Sequence, residues 1–390
     1  MAVSKVVFGN NTIMDITDST ITADKVLEGE IAYAADGSRI VGTASGGGGG
    51  GGGVDETLVT YNVNGTLKMP PYIGIAASDS GLFYGANNFN YPVRFGNHAC
   101  FALYRAFELC NSLNSEIIID EPDWEWFQTQ SANEIRKFTF PNKGVEVNLL
   151  FNSCKNFNRP FELRPWMRNP VAVFQGCSIY NYPVNIPDPI SNSYINTIGF
   201  GVPCASMFSG AWAFNSRVNF PRNNVIGNIG VQSMFQSTNL FNQPIYIKCA
   251  NGRIFLDSMF QHAQNFRDMI LIDFTNETGL ITMNTMFNNA KARATDIILN
   301  YTNTTAMIVR GVNICRNYYK YENKRINIYV KDPALFTALA WENYGAASTS
   351  YFAATTNGYY NASMNVYILT NVSDGVNKFW DHYNTLYGIT

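Results

Sequence analysis

The chain is poor in charge. Of its 390 residues only 14% are Asp, Glu, Lys or Arg, against about 25% in ordinary soluble proteins. The formal net charge of −2 offers no electrostatic footprint for nucleic acid or an anionic membrane surface. Long apolar runs are missing too, and with no window of 18 or more apolar residues the sequence predicts no membrane span. Histidine is scarce: His98, His262 and His382 are poor material for a triad or a metal centre. The seven cysteines (Cys100, Cys110, Cys154, Cys177, Cys204, Cys249 and Cys315) form no CxxC pair and no Cys/His cluster, so they read as reduced thiols used as small core hydrophobes. No GxSxG or HExxH occurs, and the glycine run has no Lys-Ser/Thr to make a P-loop. The start, MAVSKVVFGNNTIMD, lacks a basic end, an apolar run and a small-residue cleavage site, and is not expected to be a secretory signal. The expectation is a non-enzymatic protein without cofactor or metal, binding no nucleic acid and inserting in no membrane.

Hydrophobic residues reach 46% and aromatics 14%. With many Asn, Gly and Thr, this composition suits a β-rich protein with neutral polar surfaces. Eight consecutive glycines, Gly46–Gly53, mark a boundary. Such a run buries no side chain and loses the most entropy on ordering, so it predicts a tether with a root-mean-square reach of about 15 Å. Residues 1–45 then form a separate small unit.

Beyond the tether a pattern repeats. Take as anchors Phe107, Phe151, Phe174, Phe208, Phe235, Phe260 and Phe287, which lie 44, 23, 34, 27, 25 and 27 residues apart. A large apolar residue usually precedes each, as in Met207, Met234, Met259 and Met286. Three residues on stands something small: Cys110, Cys154, Cys177, Ala211, Thr238, Ala263 or Ala290. Six on comes Leu113, Phe157, Tyr180, Phe214, Phe241 or Phe266, and seven on Asn114, Asn158, Asn181, Asn215 or Asn242. At ten and twelve sit apolar pairs, from Ile117/Ile119 to Ile297/Leu299, which share one face of a short strand. The anchor and the residues three and six on predict a short helical or 3₁₀-like turn facing the same interior. The Asn suits an inward turn, its amide bonding backbone groups left unpaired at the bend. Pro160, Pro183 and Pro244 start strands where a missing N–H costs least. No unit can bury its apolar face alone, so the units stack and their strands form a parallel ladder. A worn copy is suspected around Ile135–Phe140 and another at Cys315–Val330.

These units resemble the leucine-rich repeats of the BspA-like type over about residues 100–330. The expected fold is a β-rich α/β solenoid: a leucine-rich-repeat-like parallel array with short helical turns after a small N-terminal module. INIYVKDPALFTALAWENYG (Ile326–Gly345) resembles the end of such arrays, a last strand and then a capping helix with Asp332 as N-cap and Pro333 in its first turn. The expected organisation is 1–45 module, 46–53 linker, 54–99 β-rich entry region, 100–331 array, and 332–390 cap and terminal subdomain. Within the last, MNVYILTNV (Met364–Val372) reads as a strand, and Val376, Phe379, Trp380, Tyr383 and Tyr387 are spaced like one buried helix face.

In the head, Thr22 is placed to cap a helix from Ala23, and ADGSRI to turn between strands around Ala32–Ala34 and Ile40–Gly42. STITADKVLEGEIAYAADGSRIVGT (Ser19–Thr43) resembles a short module of tail and tail-fibre proteins of tailed bacteriophages. The resemblance implies a virion-attachment role. The chain is then expected to belong to a virion tail and to be assembled in the host cytoplasm. It would join other tail or baseplate proteins through residues 1–45, be present as a homo-oligomer or in several copies, and show its array to a host-cell glycan or protein. A head fibre, a baseplate spacer, a bacterial BspA-like adhesin and a glycan-degrading enzyme are the rivals.

One acidic aromatic patch, IIIDEPDWEWF (Ile117–Phe127), sets Asp123 and Glu125 beside Trp124 and Trp126. Paired carboxylates about 5–9 Å apart hydrolyse glycosides, and an indole stacks on a sugar. Clustering in sequence does not establish that geometry, and the plainer reading is an acidic loop with partly packed Trp. As a functional patch it predicts carbohydrate contact rather than hydrolysis.

Overall fold

The computed structural model of the chain describes residues 5–8, 11–15, 31–33, 39–41, 60–61, 67–68, 81–96, 103–123, 145–187, 200–221, 225–274, 279–290, 294–301, 307–310, 325–331, 353–355, 358–361 and 366–389. The repeats are the rungs of a parallel β-solenoid. All seven anchors are fully buried, as are the small residues three on and the ring or Leu six on. Rings of successive rungs stack at 5.0–5.8 Å and within 18° of parallel, from Phe83–Phe107 to Phe260–Phe287. Phe157, Tyr180, Phe214, Phe241 and Phe266 make a second column at 5.7–6.0 Å, each 3.9–4.2 Å from the anchor of its own rung. Offset stacking of this kind adds about 0.5–1.5 kcal/mol per pair beyond burial.

Phe83 adds a rung ahead of those read from the sequence. GLFYGANNFNYPVRF (Gly81–Phe95) repeats the offsets with Ala86, Phe89, Asn90, Pro92, Val93 and Phe95. Its strand Val93–Phe95 pairs in parallel with Ile117–Ile119, so the region 54–99 contains a full rung. The suspected copy at Ile135–Phe140 lies outside the described residues. Phe107 and Phe151 nevertheless stack directly, and Phe107 N–H donates to Leu150 C=O at 3.0 Å. No rung stands between them.

The expected helical turns are corrected. Each bend is a chain of β-turns, with N–H to C=O bonds three residues apart, as in Cys154 to Phe151 and Phe157 to Cys154. In the seven rungs from Phe107 on, the residues two before and two after the anchor are left-handed, with φ of 51–72° (Ser233 and Ser237 around Phe235, Ser258 and His262 around Phe260). Such residues cannot sit inside a right-handed helix. Bonds between rungs hold the strained backbone: Ser233 N–H donates to Asp257 C=O and Ser237 N–H to Gln261 C=O, both at 2.9 Å. The turns are therefore stacked as the strands are.

Two strips of parallel strands flank the turns. The anticipated strip follows the anchor, with Ile245↔Ile270↔Ile297 in register and Ile297↔Ile328↔Ile368 beyond. The second precedes the anchor and was not anticipated: Phe200–Pro203, Asn228–Gly230, the end of Ile245–Phe255, Gly279–Thr282 and Met307–Arg310. Ile245–Phe255 serves both strips by bending at Gly252, where φ is 126° and a Cβ would lie 2.4 Å from the Gly227 carbonyl oxygen. Ile326–Val330 is not the last strand, since Val366–Leu369 extends the sheet. The capping helix expected from Asp332 lies outside the described residues. Both ends of the ladder meet antiparallel strands: Thr60–Tyr61 pairs with Leu67–Lys68 at one, and Gly358–Asn361 with Val366–Leu369 at the other. Reversals of this kind replace an open parallel edge.

The helix expected from the final stripe spans Val372–Tyr387, capped by Asn371 Oδ1 and ended by Gly388 at φ 62°. Its face of Val376, Phe379, Trp380, Tyr383 and Tyr387 packs on the outer face of the sheet against Leu271, Ile298, Tyr329 and Tyr246. In the head, Ile31–Tyr33 and Arg39–Val41 pair antiparallel as read, and Lys5–Phe8 pairs with Asn11–Asp15. The helix expected from Ala23 and the glycine run lie outside the described residues.

Candidate functional site

Of the acidic aromatic patch, Asp123 is half-buried at the end of a described segment, while Trp124, Glu125 and Trp126 lie outside the described residues. Asp120 is held by Arg94, whose Nε and Nη2 donate to its two carboxylate oxygens at 2.9 and 3.2 Å. That carboxylate closes a contact between neighbouring strands. No cluster of His, Cys, Asp and Glu among the described residues could hold a metal ion, and no described helix is long and apolar enough to cross a membrane.

The described cysteines, Cys110, Cys154, Cys177, Cys204 and Cys249, are buried thiols rather than disulfide halves. Three of them do more than fill space: Cys110, Cys154 and Cys177 donate to the anchor carbonyl of the preceding rung at 2.8, 2.8 and 3.0 Å. Thr238 does the same through its hydroxyl at 2.8 Å. Burial pushes the Cys110 thiol up to about 12 and raises those of Cys154, Cys177 and Cys204. Thiols raised in this way are poor nucleophiles, and Cys110, Cys154 and Cys177 serve as structural donors.

Two surface features stand out along one edge. The first is the Asn row, exposed or half-exposed rather than inward. Each Oδ1 of Asn90, Asn114, Asn158, Asn181, Asn215 and Asn242 accepts the N–H seven after the next anchor, at 2.7–3.0 Å. That bond fixes the amide orientation, since only the oxygen can accept from N–H. Each Nδ2 therefore turns away from the bond, and none of the six has a partner among the described residues.

The second is an exposed apolar corner. Trp166 belongs to the core, but Trp212 is 60% exposed, with Ile179 at 44% and Leu240 at 51%. All three fall four or five residues after their anchors, on consecutive rungs, and the backbone joins them: Ala213 N–H donates to Ser178 C=O at 3.0 Å and Leu240 N–H to Trp212 C=O at 3.1 Å. The corner is neutral, as SIYNY (178–182), WAFNS (212–216) and NLFNQ (239–243) contain no charged residue. The sequence held a signal for it. The offset of Trp212 is filled by Asn87, Asn111, Lys155, Ser178, Asn239, Gln264 and Lys291 elsewhere in the sequence, so a large ring there has no place in the interior.

A third cluster ties the final helix to the array. Arg217 Nη2 donates to Tyr383 Oη at 2.6 Å and its guanidinium lies 4.1 Å from the Tyr387 ring centre, while His382 Nε2 meets Asp268 Oδ1 at 2.9 Å. Burial raises the Asp268 carboxyl above its ordinary range, against the Met269 N–H and His382.

Among known proteins, a family model described as "Mycoplasma protein of unknown function, DUF285" matches residues 202–301. The match spans the rungs anchored at Phe208, Phe235, Phe260 and Phe287, the most evenly spaced in the chain. No curated protein and no solved structure matches.

Proposed function

We propose that the chain is a structural protein of a bacteriophage tail, a fibre or receptor-binding protein, whose array recognises the host cell without covalent chemistry. The observation that supports this most is the exposed corner of Ile179, Trp212 and Leu240 beside a row of free amide donors, on a scaffold that keeps Trp166 and its anchor rings in the interior. Rigid stacked rungs hold such side chains at fixed spacing, as recognition by a solenoid requires. The attachment role of residues 1–45 rests on the likeness of Ser19–Thr43 to the phage tail module. Several copies on one particle would turn weak single contacts into firm attachment. Immunogold labelling of particles of the phage encoding this chain, with antibody to the full-length protein, is expected to mark the tail. Unlabelled particles, or label confined to the head, would overturn the assignment. A bacterial surface adhesin is the second reading, favoured by the match of residues 202–301 to a Mycoplasma family model. Label on the surface of uninfected cells would select it.

A further inference from the structure

We infer that the corner of Ile179, Trp212 and Leu240, with Asn181, Asn215 and Asn242 beside it, is a binding site for a neutral polysaccharide chain. The inference deepens the recognition role proposed above and rests on it for its biological setting, though not for its chemistry. Three observations carry it.

The indole of Trp212 projects at a turn tip between two aliphatic neighbours, giving a platform for the apolar C–H face of a sugar ring. The amide row supplies the polar half. Asn181 Oδ1 is taken by Asn215 N–H and Asn215 Oδ1 by Asn242 N–H, both at 2.8 Å, so their Nδ2 groups face a ligand as donors. Hydroxyl, ring and acetamido oxygens of a glycan accept such bonds. Donors recur at each rung, a step of about 4.8 Å, so a chain laid along the edge meets the same group repeatedly. Three consecutive rungs offer a track as long as a short oligosaccharide.

Charge and size then decide the class of ligand. The three segments contain no charged side chain, and Arg217, the nearest cation in sequence, is engaged by Tyr383 and Tyr387. Lys155 and Arg267 are exposed one rung out on either side, so an anionic glycan finds no counter-charge within the three turns themselves. A protein partner needs about 800 Å² on each side for a stable interface, and three side chains fall far short of that.

The test uses the full-length protein in native gels containing hydroxyethyl cellulose, galactomannan, dextran or glycol chitin, with polygalacturonate as the anionic control. Retardation by at least one neutral polymer is expected, with quenching of tryptophan fluorescence, and none by polygalacturonate. Trp212→Ala should weaken that retardation by at least about tenfold with an unchanged melting temperature. Asn215→Asp keeps the oxygen that Asn242 N–H needs but loses the donors, and should weaken it as well. Absence of retardation by all four neutral polymers, retardation indifferent to Trp212→Ala, or binding to polygalacturonate alone would overturn the site. So would capture of a protein on blots of host envelope that depends on Trp212 without any polymer binding. Tail labelling with no polymer binding would leave the recognition role and remove this site. Polymer binding that depends on Trp212, with unlabelled particles, would keep the site and remove the role.

Discussion

Tyr180 occupies the second column of rings with a hydroxyl that finds no partner among the described residues, and burial raises its pKa. Neighbouring rungs have Phe157 and Phe214 in that place, so the hydroxyl is surplus to the packing. An unpaired buried hydroxyl costs about 1–3 kcal/mol, and Tyr180→Phe is expected to stabilise the protein by about 1 kcal/mol in urea unfolding. Phe241 stacks on Phe235 at 3.9 Å and touches the rings of the rungs on both sides. Its truncation to Ala should cost about 3–5 kcal/mol, whereas Trp212→Ala, at the surface, should stay within about 0.5 kcal/mol. An unchanged urea midpoint for Phe241→Ala would refute the rung alignment. These positions were legible in the sequence because buried rings recur at fixed offsets. Tyr180 looked like any other ring, and its missing hydrogen bond emerges only when three rungs are assembled. The same holds for the thiols, whose acceptors lie on the preceding rung, 23–44 residues along the chain from one anchor to the next.

At the scale of elements, strands read well and bends did not. Alternation fixed the strip after each anchor, since a slip of one residue would turn every apolar side chain outward. Two residues apolar at a separation of three fit both a helical turn and a chain of β-turns. The left-handed positions, held by Ser, Leu, Ala and Arg as well as Gly, leave no clear mark in composition. The final helix was legible as a stripe, but not where it lands, because Leu271, Ile298 and Tyr329 lie on three separate strands. Where it lands, Asp268 is buried beneath His382. Burial raises the folded-state pKa of Asp268, so its contribution to stability is full below the ordinary carboxylate range and lost as pH rises through the folded value. Asp268→Asn should therefore gain in melting temperature relative to the parent between pH 4 and pH 7. A constant difference across that range would show that the carboxylate is not the group responsible.

Across the whole molecule, the variable lengths fall at one place. The segments 124–144, 188–199, 222–224 and 275–278 each separate the strand after one anchor from the strand before the next. Anchor spacing thus ranges from 23 to 44 residues while the ring-to-ring step stays near 5.0–5.8 Å. Limited proteolysis of the full chain is expected to cut first within or beside Gly46–Gly53, and earlier cleavage inside the array would contradict a separate head and array. Replacing 188–199 by a three-residue link, the length of 222–224, should leave the far-ultraviolet spectrum and melting temperature close to those of the parent, because no described bond of the ladder depends on the segment. The consequence reaches past this chain. A ladder closed on itself by rings, thiols and amides is indifferent to what is spliced in at that corner, so one part of the molecule is free to diversify while the other holds its shape. Under the recognition role proposed above, new specificities would arise by exchanging inserts while the described rungs keep their register.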